Sequence, residues 1–216
     1  MNDCWPGRQC RQRATGVLST ILALILAVGL APSSQAQEPL PPGSAFPSVD
    51  ASLQRVNGSS TTVDELMGSS ATVIVFWSND CPWVDKYDSR VQNLVSEFQD
   101  AGVSFVLVNS NDASGASRES LQASQKRAEK EGYQAAYVRD AGASLARALG
   151  ATRTPHVFVF DNTQTLVYEG AIDDSPGDPK RVEEAYLKTA IGALVEGEEV
   201  SVPETKAFGC TLKYPE

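Results

Sequence analysis

The chain has 216 residues and a formal net charge of −9 at pH 7, which predicts an acidic surface. Such a surface argues against nucleic acid and anionic lipid as partners. The length is enough for a secretory signal and one domain with a substantial hydrophobic core.

Residues 1–36 have the pattern of a secretory signal peptide. Three arginines precede an apolar, uncharged run at residues 17–30, and the small residues Ser34 and Ala36 predict cleavage after Ala36. The run holds about 14 residues, fewer than the ~20 that span a bilayer; an uncleaved anchor is the alternative. Both interpretations predict export to the periplasm or the cell exterior, with membrane contact only if the run is retained.

Cleavage leaves 180 residues with 15 basic and 26 acidic side chains, a formal net charge of −11. Two of the four cysteines, Cys4 and Cys10, leave with the signal, so Cys81 and Cys210 remain. Two cysteines in an oxidising compartment can form a disulfide, although sequence alone does not show that they lie close together.

The mature chain begins with an extended, proline-rich leader at residues 37–46. Residues 48–63 then predict a β-hairpin, because Asn57-Gly58 is a strong signal for a tight turn between two strands. Thr62 and Glu65 have the spacing of a capping box for a short helix.

A buried strand and a long helix follow. Residues 72–77 are apolar, β-branched and aromatic, which is typical of a strand buried on both faces. Apolar residues then recur at helical spacing over residues 84–98. Cys81 therefore lies where the strand gives way to the helix, with Pro82 in the first helical turn. A helix N-terminus favours thiolate over thiol, so this position predicts a nucleophile.

The remaining elements alternate between strands and helices, which predicts an α/β fold with a central mixed sheet flanked by helices. They are a strand at 103–109, a polar helix at 118–131, a strand at 135–139, a short helix at 140–149, a hairpin at 156–170 and a helix at 178–197. A C-terminal tail at 198–216 carries Cys210. The cations of the polar helix, Lys126, Arg127 and Lys130, are interpreted as a solvent-exposed face.

The motif FWSNDCP at residues 76–82, with Thr154-Pro155 at the start of the hairpin, resembles the thioredoxin-like superfamily, within the redoxin or alkyl-hydroperoxide-reductase type of exported thioredoxin-family proteins. The resemblance covers residues 46–197. It implies a thioredoxin-like domain at 47–197 with an N-terminal hairpin extension. It also implies a cis Thr154-Pro155 bond beside Cys81, where the backbone pairs with a bound peptide or thiol partner. Shorter matches to a narrower redoxin subgroup are VNSND (108–112), ATRTP (151–155), GAIDDS (170–175) and ETKAFGC (204–210).

Two departures from the thioredoxin pattern agree with each other. The second cysteine of Cys-x-x-Cys is replaced by Val84, and the buried aspartate of the central strand is replaced by Val75. Disulfide exchange needs an attacking thiolate and a resolving thiol, which excludes a reductase with adjacent cysteines. A mixed disulfide at Cys81 must therefore be resolved by Cys210, by a small thiol or by a partner.

The peroxiredoxin pattern is also incomplete. It places a proline seven residues and a threonine three residues before the reactive cysteine, and here these positions are Ile74 and Ser78. Ser78 offers a replacement hydroxyl, but the missing proline weakens the peroxide pocket. Peroxidase activity is therefore disfavoured but not excluded.

The predicted catalytic residues are Cys81, as nucleophile, and Cys210, as candidate resolving thiol. The residues predicted to contact substrate are Pro82, Trp83, Arg153, Thr154 and Pro155. For Cys210 the alternatives are a redox-cycling disulfide with Cys81, a permanent one, a free thiol and a bond to another chain. For Trp83 the alternatives are an apolar rim that contacts a partner, or packing within the protein.

His156 is the only histidine, and it follows Pro155. It could exchange a proton with Cys81, or complete a Cys₂His metal site with both cysteines. The favoured interpretation is an outward-facing side chain at a strand start. Asp173 and Asp174 are interpreted as a solvated turn.

Three functions are therefore weighed. An exported thiol–disulfide oxidoreductase is preferred. The alternatives are a thiol peroxidase that uses Cys81, and a non-catalytic binding module with a fixed Cys81–Cys210 staple. No dissociable cofactor or metal is expected, the partner is a thiol or disulfide on a protein or small molecule, and no oligomeric state is implied.

Overall fold

The computed structural model describes residues 38–115 and 117–216. The predicted signal peptide at residues 1–36, and its alternative as an anchor at residues 17–30, lie outside the described residues. Among the residues that are described, no helix is both long enough and apolar enough to cross a membrane.

The described chain forms nine strands, seven of them in one mixed sheet. The strands are β1 (Leu53–Arg55), β2 (Ser60–Thr61), β3 (Ala71–Phe76), β4 (Val103–Asn109), β5 (Ala136–Arg139), β6 (Arg153–Thr154), β7 (His156–Asp161), β8 (Leu166–Gly170) and β9 (Cys210–Thr211). The order in the large sheet is β2-β1-β5-β4-β3-β7-β8. Strand β3 pairs in parallel with β4 and antiparallel with β7. The predicted thioredoxin-like fold is confirmed.

Helices cover both faces of this sheet. They are α1 (Pro82–Phe98), α2 (Leu121–Glu131), α3 (Ser144–Leu149) and α4 (Tyr186–Glu196). Successive residues of β3 point to opposite faces, so Val73 and Val75 join one apolar cluster and Ile74 joins another. The first cluster holds the buried faces of α1 and α4, and the second holds that of α3. Burial of β3 on both faces is confirmed.

The N-terminal hairpin is confirmed but is shorter than predicted. Gln54 pairs with Ser60 across the Asn57-Gly58 turn, and β1 also pairs antiparallel with β5. The hairpin therefore extends the edge of the central sheet. The capping box is formed as well, because the Thr62 N–H donates to Glu65 Oε2 at 3.3 Å and the Glu65 N–H donates to Thr62 Oγ1 at 3.4 Å.

Three predicted helix starts are too early. The short helix begins at Ser144 and not at residue 140, and the Asp140 carboxylate accepts from the Ser144 N–H at 3.0 Å. The last helix begins at Tyr186, because the Asp178 side chain caps only a 3₁₀ turn at Pro179–Arg181 and the backbone is extended at Val182. The polar helix begins at Leu121, because Ser120 Oγ accepts a hydrogen bond from the Ala123 N–H at 3.2 Å. A side-chain cap from Ser120 therefore sets the start of the polar helix, whereas the last helix has Ala185 as its N-cap residue and no side-chain cap.

Candidate active site

Cys81 is the N-cap residue of α1. Its backbone is extended, with φ −94° and ψ 117°, and Pro82 takes the first helical position. The helix then runs for 17 residues with Val84, Tyr87 and Val91 buried beneath it. Cys81 is therefore held at the positive end of a rigid helix, where a thiolate is stabilised.

The loop between β3 and Cys81 is fixed by the carboxylate of Glu119, which is 6 % exposed. Glu119 Oε1 accepts from Ser78 Oγ at 2.5 Å, and Oε2 accepts from the Asn79 N–H at 3.0 Å. Asn109 Nδ2 donates to Oε2 as well, at 2.7 Å. Three donors on one buried carboxylate stabilise its charge and order the loop.

These bonds also engage the hydroxyl that the peroxidase hypothesis requires. Ser78 Oγ donates to Glu119 and accepts from the Asp80 N–H at 3.1 Å. The Ser78 hydroxyl therefore stabilises the loop that leads to Cys81. Sequence reasoning missed Glu119, since nothing around it distinguishes it from Glu129, which lies exposed on α2.

Tyr137 steadies the same loop from the sheet. Its hydroxyl donates to Asn79 Oδ1 at 2.7 Å. Burial, which penalises the charged phenolate, raises the pKa of Tyr137 to about 12.

The Thr154-Pro155 peptide bond is cis and lies beside Cys81, as the family resemblance implies. Cys81 Sγ is 3.1 Å from the carbonyl oxygen of Thr154. Two segments that are 73 residues apart in the sequence therefore meet at the Cys81 sulfur.

Cys81 and Cys210 are joined by a disulfide, with their Cα atoms 6.0 Å apart. Of the alternatives for Cys210, an intrachain disulfide is therefore the one that the structure contains. Cys81 is only 2 % exposed, whereas Cys210 is partly exposed. Cys210 is therefore the more exposed residue of the pair.

The C-terminal tail holds Cys210 in place through backbone pairing. Strand β9 runs antiparallel to β6, with Cys210 opposite Thr154 and Thr211 opposite Arg153. At Gly209, a Cβ atom would lie 2.2 Å from the carbonyl oxygen of Thr154. Only glycine permits this close approach of the two backbones.

The predicted substrate-contact residues surround the disulfide but mostly touch the tail. Trp83 packs edge-on against Phe208 with ring centroids 4.7 Å apart, and Phe208 is 45 % exposed. Arg153 Nη1 donates to Thr211 Oγ1 at 2.9 Å. Trp83 therefore packs on Phe208, which lies within the ETKAFGC match of the tail, and a role for Trp83 as an apolar rim for a partner stays a prediction.

His156 is buried, at 1 % exposure, so the prediction of an outward-facing side chain is wrong. It opens β7, an interior strand whose neighbours cover both of its edges. His156 Nδ1 accepts from the Thr152 N–H at 3.2 Å, and Nε2 lies 2.8 Å from Glu169 Oε2. Both ring nitrogens are thus engaged away from Cys81. Neither is available to a Cys₂His site, and the cysteine sulfurs of that hypothesis are bonded to each other.

The interpretation of Asp173 as part of a solvated turn is also wrong, whereas Asp174 is exposed. Asp173 is buried, forms an ion pair with Arg90, and accepts from Tyr87 Oη at 3.1 Å. Burial of Tyr87 raises the pKa of its hydroxyl, and the Asp173 charge raises it further. The pair joins α1 to the loop after β8.

Arg127 corrects the interpretation of the polar helix. Lys126 and Lys130 are exposed as predicted. The side chain of Arg127, however, is mostly buried and forms ion pairs with Asp88 at 2.8 Å and Asp85 at 2.9 Å. It therefore attaches α2 to α1 and is not part of a solvated face.

Comparison with known proteins agrees with this geometry. Residues 41–186 match the Redoxin family, and no curated protein sequence matches the chain. A hypothetical protein from Sinorhizobium meliloti is 31 % identical with a TM-score of 0.76, over 82 % of this chain and 97 % of that one. An uncharacterized conserved protein from Geobacillus kaustophilus is 33 % identical with a TM-score of 0.75, over 81 % and 93 %. Peroxidoxin BcpB from Mycobacterium tuberculosis shares the fold at 18 % identity and a TM-score of 0.54, over 72 % and 96 %.

Proposed function

Because the chain belongs to the Redoxin family, we propose that it is an exported thiol–disulfide oxidoreductase in which Cys81 and Cys210 alternate between dithiol and disulfide. One observation carries the proposal. The disulfide joins a cysteine at a helix N-terminus to a tail cysteine, directly beside Thr154 and Pro155.

In the reduced protein, the partial positive charge at the helix N-terminus favours the attacking thiolate of Cys81 over the thiol. Attack on a substrate disulfide forms a mixed disulfide at Cys81 and releases one thiolate. Cys210, held opposite Thr154, then attacks Cys81 Sγ and releases the second. The sulfur pair carries both electrons, so the reaction requires no dissociable cofactor.

Regeneration uses the difference in exposure between the two sulfurs. A reducing thiolate reaches the partly exposed Cys210 before the buried Cys81. Attack there expels the Cys81 thiolate, and a thiolate of low pKa leaves faster. The helix N-terminus thereby assists both halves of the cycle.

Thiol–disulfide exchange is supported over peroxidase activity by the hydrogen bonds of Ser78, whose hydroxyl is held by Glu119. If peroxide is the substrate, hydrogen peroxide will form sulfenic acid at Cys81 of the Cys210→Ser variant faster than a disulfide forms a mixed disulfide there. That result would replace the proposed reaction with the peroxidase reaction.

The decisive test is the reduction potential of the Cys81–Cys210 pair. The mature protein is equilibrated in glutathione and dithiothreitol redox buffers, and free thiols are counted by alkylation and mass spectrometry. A catalytic pair is expected to gain two thiols together at a potential above about −300 mV, whereas a permanent staple stays oxidised to lower potentials. The second outcome would support the non-catalytic binding module.

Export is proposed from the pattern of residues 1–36. Expression of the full chain in a bacterium, followed by mass determination of the protein in the periplasmic fraction, tests it. An N-terminus at Gln37 is expected. Recovery in the cytoplasm with residues 1–36 intact would contradict it.

A further inference from the structure

The C-terminal tail covers the edge of strand β6, next to Pro155. Strand β6 ends at Thr154, and β9 pairs with it in an antiparallel arrangement. Cys210 lies opposite Thr154 in this pairing. The Leu212 N–H donates to the Thr152 carbonyl at 3.0 Å, which continues the pairing toward the C-terminus. A peptide that added a strand to β6 would need the same backbone groups.

On its N-terminal side, the tail is anchored to β8. The Glu169 N–H donates to the Pro203 carbonyl at 3.0 Å, and the Thr205 N–H donates to the Glu169 carbonyl at 3.0 Å. Thr205 Oγ1 also accepts from the Ala171 N–H at 2.9 Å. None of these bonds involves the disulfide.

On its C-terminal side, the tail is anchored to the core. Leu212 is 3 % exposed and belongs to the apolar cluster that covers α3. The Lys213 N–H donates to Asn111 Oδ1 at 3.0 Å, and the Lys213 carbonyl accepts from the Asp112 N–H at 2.6 Å. Reduction of the disulfide therefore leaves Cys210 held between two independent anchors.

Building on the proposed oxidoreductase function, we propose that the substrate is a low-molecular-weight disulfide or thiol, and that the chain's own tail excludes extended polypeptides from β6. A polypeptide can pair with β6 only by displacing residues 203–213. A small disulfide reacts without pairing with β6, so it competes with none of the backbone bonds that hold the tail. Strand β9 thereby restricts the size of the substrates that reach β6.

The redox step balances with such a substrate. The Cys81 thiolate attacks one sulfur of the disulfide RS–SR, forming the Cys81–SR mixed disulfide and releasing RS⁻. Cys210 gives its thiol proton to solvent, and its thiolate attacks Cys81 Sγ, which forms the intrachain disulfide and releases the second RS⁻. Two electrons pass from the cysteine pair to the small disulfide.

Two probes with the same reacting bond test the proposal. One is the mixed disulfide of N-acetylcysteine amide with 2-mercaptoethanol, and the other is a twelve-residue peptide that carries this mixed disulfide at a central cysteine. Oxidation of the reduced mature protein is followed by alkylation and mass spectrometry. We expect the peptide to react more slowly than the small probe, because β6 is occupied. An equal or faster reaction of the peptide would overturn the proposal.

Gly209→Ala sharpens the test. The new Cβ would lie 2.2 Å from the Thr154 carbonyl oxygen, so the tail must move away from β6. The peptide-to-small rate ratio should then rise at least about fivefold, because an open strand edge pairs with extended peptides. Gly192→Ala is the matched control, since nothing lies within 4 Å of its Cβ and the ratio should not change. A ratio that stays unchanged in Gly209→Ala would contradict exclusion by the tail.

The outcomes separate the two proposals. Slower oxidation by the peptide in the wild-type protein supports the size restriction, and this result decides by itself should Gly209→Ala not fold. An equal or faster reaction of the peptide contradicts the size restriction while the oxidoreductase function stands. If neither probe oxidises the dithiol, the oxidoreductase function fails, and the inference fails with it.

Discussion

Phe76 and His156 face each other in the antiparallel pair of β3 and β7. Cys81 follows Phe76 by five residues, and Pro155 directly precedes His156. The register of these two strands therefore brings the helix N-terminus and the Thr154-Pro155 bond to the same end of the sheet. The contact between Cys81 Sγ and the Thr154 carbonyl, at 3.1 Å, follows from that register.

The first prediction concerns Cys210→Ser. In this variant a small disulfide should trap Cys81 as a stable mixed disulfide, because no resolving thiol remains. Intact-mass spectrometry should show one added thiol group per chain. The wild-type protein under the same conditions should instead lose two thiols and gain no mass from the probe.

Cys81→Ser is the matched control for that experiment. Its remaining thiol, Cys210, lies outside any helix start, so at pH 7 it should react at least about tenfold more slowly than Cys81 does in Cys210→Ser. Equal rates for the two variants would show that the helix N-terminus does not activate Cys81.

The second prediction concerns Glu119→Gln. A glutamine side chain has one acceptor oxygen where the carboxylate has two, so the bonds from Ser78, Asn79 and Asn109 cannot all be kept. Loss of bonds to a buried charged acceptor should lower the free energy of unfolding by about 1–3 kcal/mol. Urea denaturation measures this, and mixed-disulfide formation at Cys81 should also slow as the loop loses its support.

Glu129→Gln is the control for Glu119→Gln, because Glu129 lies exposed on α2. It should change the free energy of unfolding by less than about 0.5 kcal/mol. Equal effects of the two variants would show that Glu119 has no special role in the loop.

Structural features that depend on a few residues close together in the sequence could be predicted. The apolar run of β3, the proline after Cys81 and the Thr154-Pro155 pair led to the fold and to the position of the site. The Thr62–Glu65 capping box formed because both of its members lie within one turn. Predictions from such signals hold in the folded protein because the interactions involve only residues that are close in the sequence.

The buried charges could not be predicted in this way. Glu119 bonds to Ser78, which is 41 residues away, and Arg90 pairs with Asp173, which is 83 residues away. Whether a charged side chain is solvated or buried with a partner depends on which elements meet in the fold. The sequence alone therefore places Arg127 and Asp173 in solvent, whereas the fold buries both beside charged partners. The ETKAFGC match marks the part of the tail that carries Phe208 and Gly209, but its pairing with β6 could not be predicted, because that pairing depends on residues far away in the sequence.

The third prediction concerns Thr154→Val. Thr154 Oγ1 is buried and has no hydrogen-bond partner within the described part of the chain. Valine has nearly the same shape and removes the unpaired hydroxyl, so the oxidised protein should keep its free energy of unfolding or gain up to about 1–3 kcal/mol. Urea denaturation of the oxidised protein provides the measurement.

Thr205→Val supplies the comparison for Thr154→Val. Its hydroxyl accepts from the Ala171 N–H at 2.9 Å and lies 2.7 Å from Tyr168 Oη. The same substitution there should destabilise the protein by about 1–3 kcal/mol, because buried groups lose their partner. Destabilisation by Thr154→Val as large as that by Thr205→Val would contradict the assignment of an unpaired hydroxyl at Thr154.

The fourth prediction is a loss of stability at alkaline pH. Burial raises the pKa of Tyr137 to about 12, above the value of about 10 for an unfolded tyrosine. The folded protein therefore holds this proton more tightly than the unfolded chain does. The resulting stabilisation is complete below about pH 10 and is lost as the pH rises through about 12, by up to about 1.4 kcal/mol per pH unit for one group.

Urea midpoints measured between pH 8 and pH 12, after short incubation, test this pH dependence. Tyr137→Phe removes the titrating hydroxyl, so its stability should fall less steeply above pH 10. It should also be less stable than the wild type at pH 8, because the bond from the hydroxyl to Asn79 is lost. Burial raises the pKa of Tyr87, Tyr133 and Tyr168 as well, so some slope should remain in the variant. A wild-type midpoint that does not change between pH 9 and pH 12 would show that these hydroxyls are not desolvated in the folded protein.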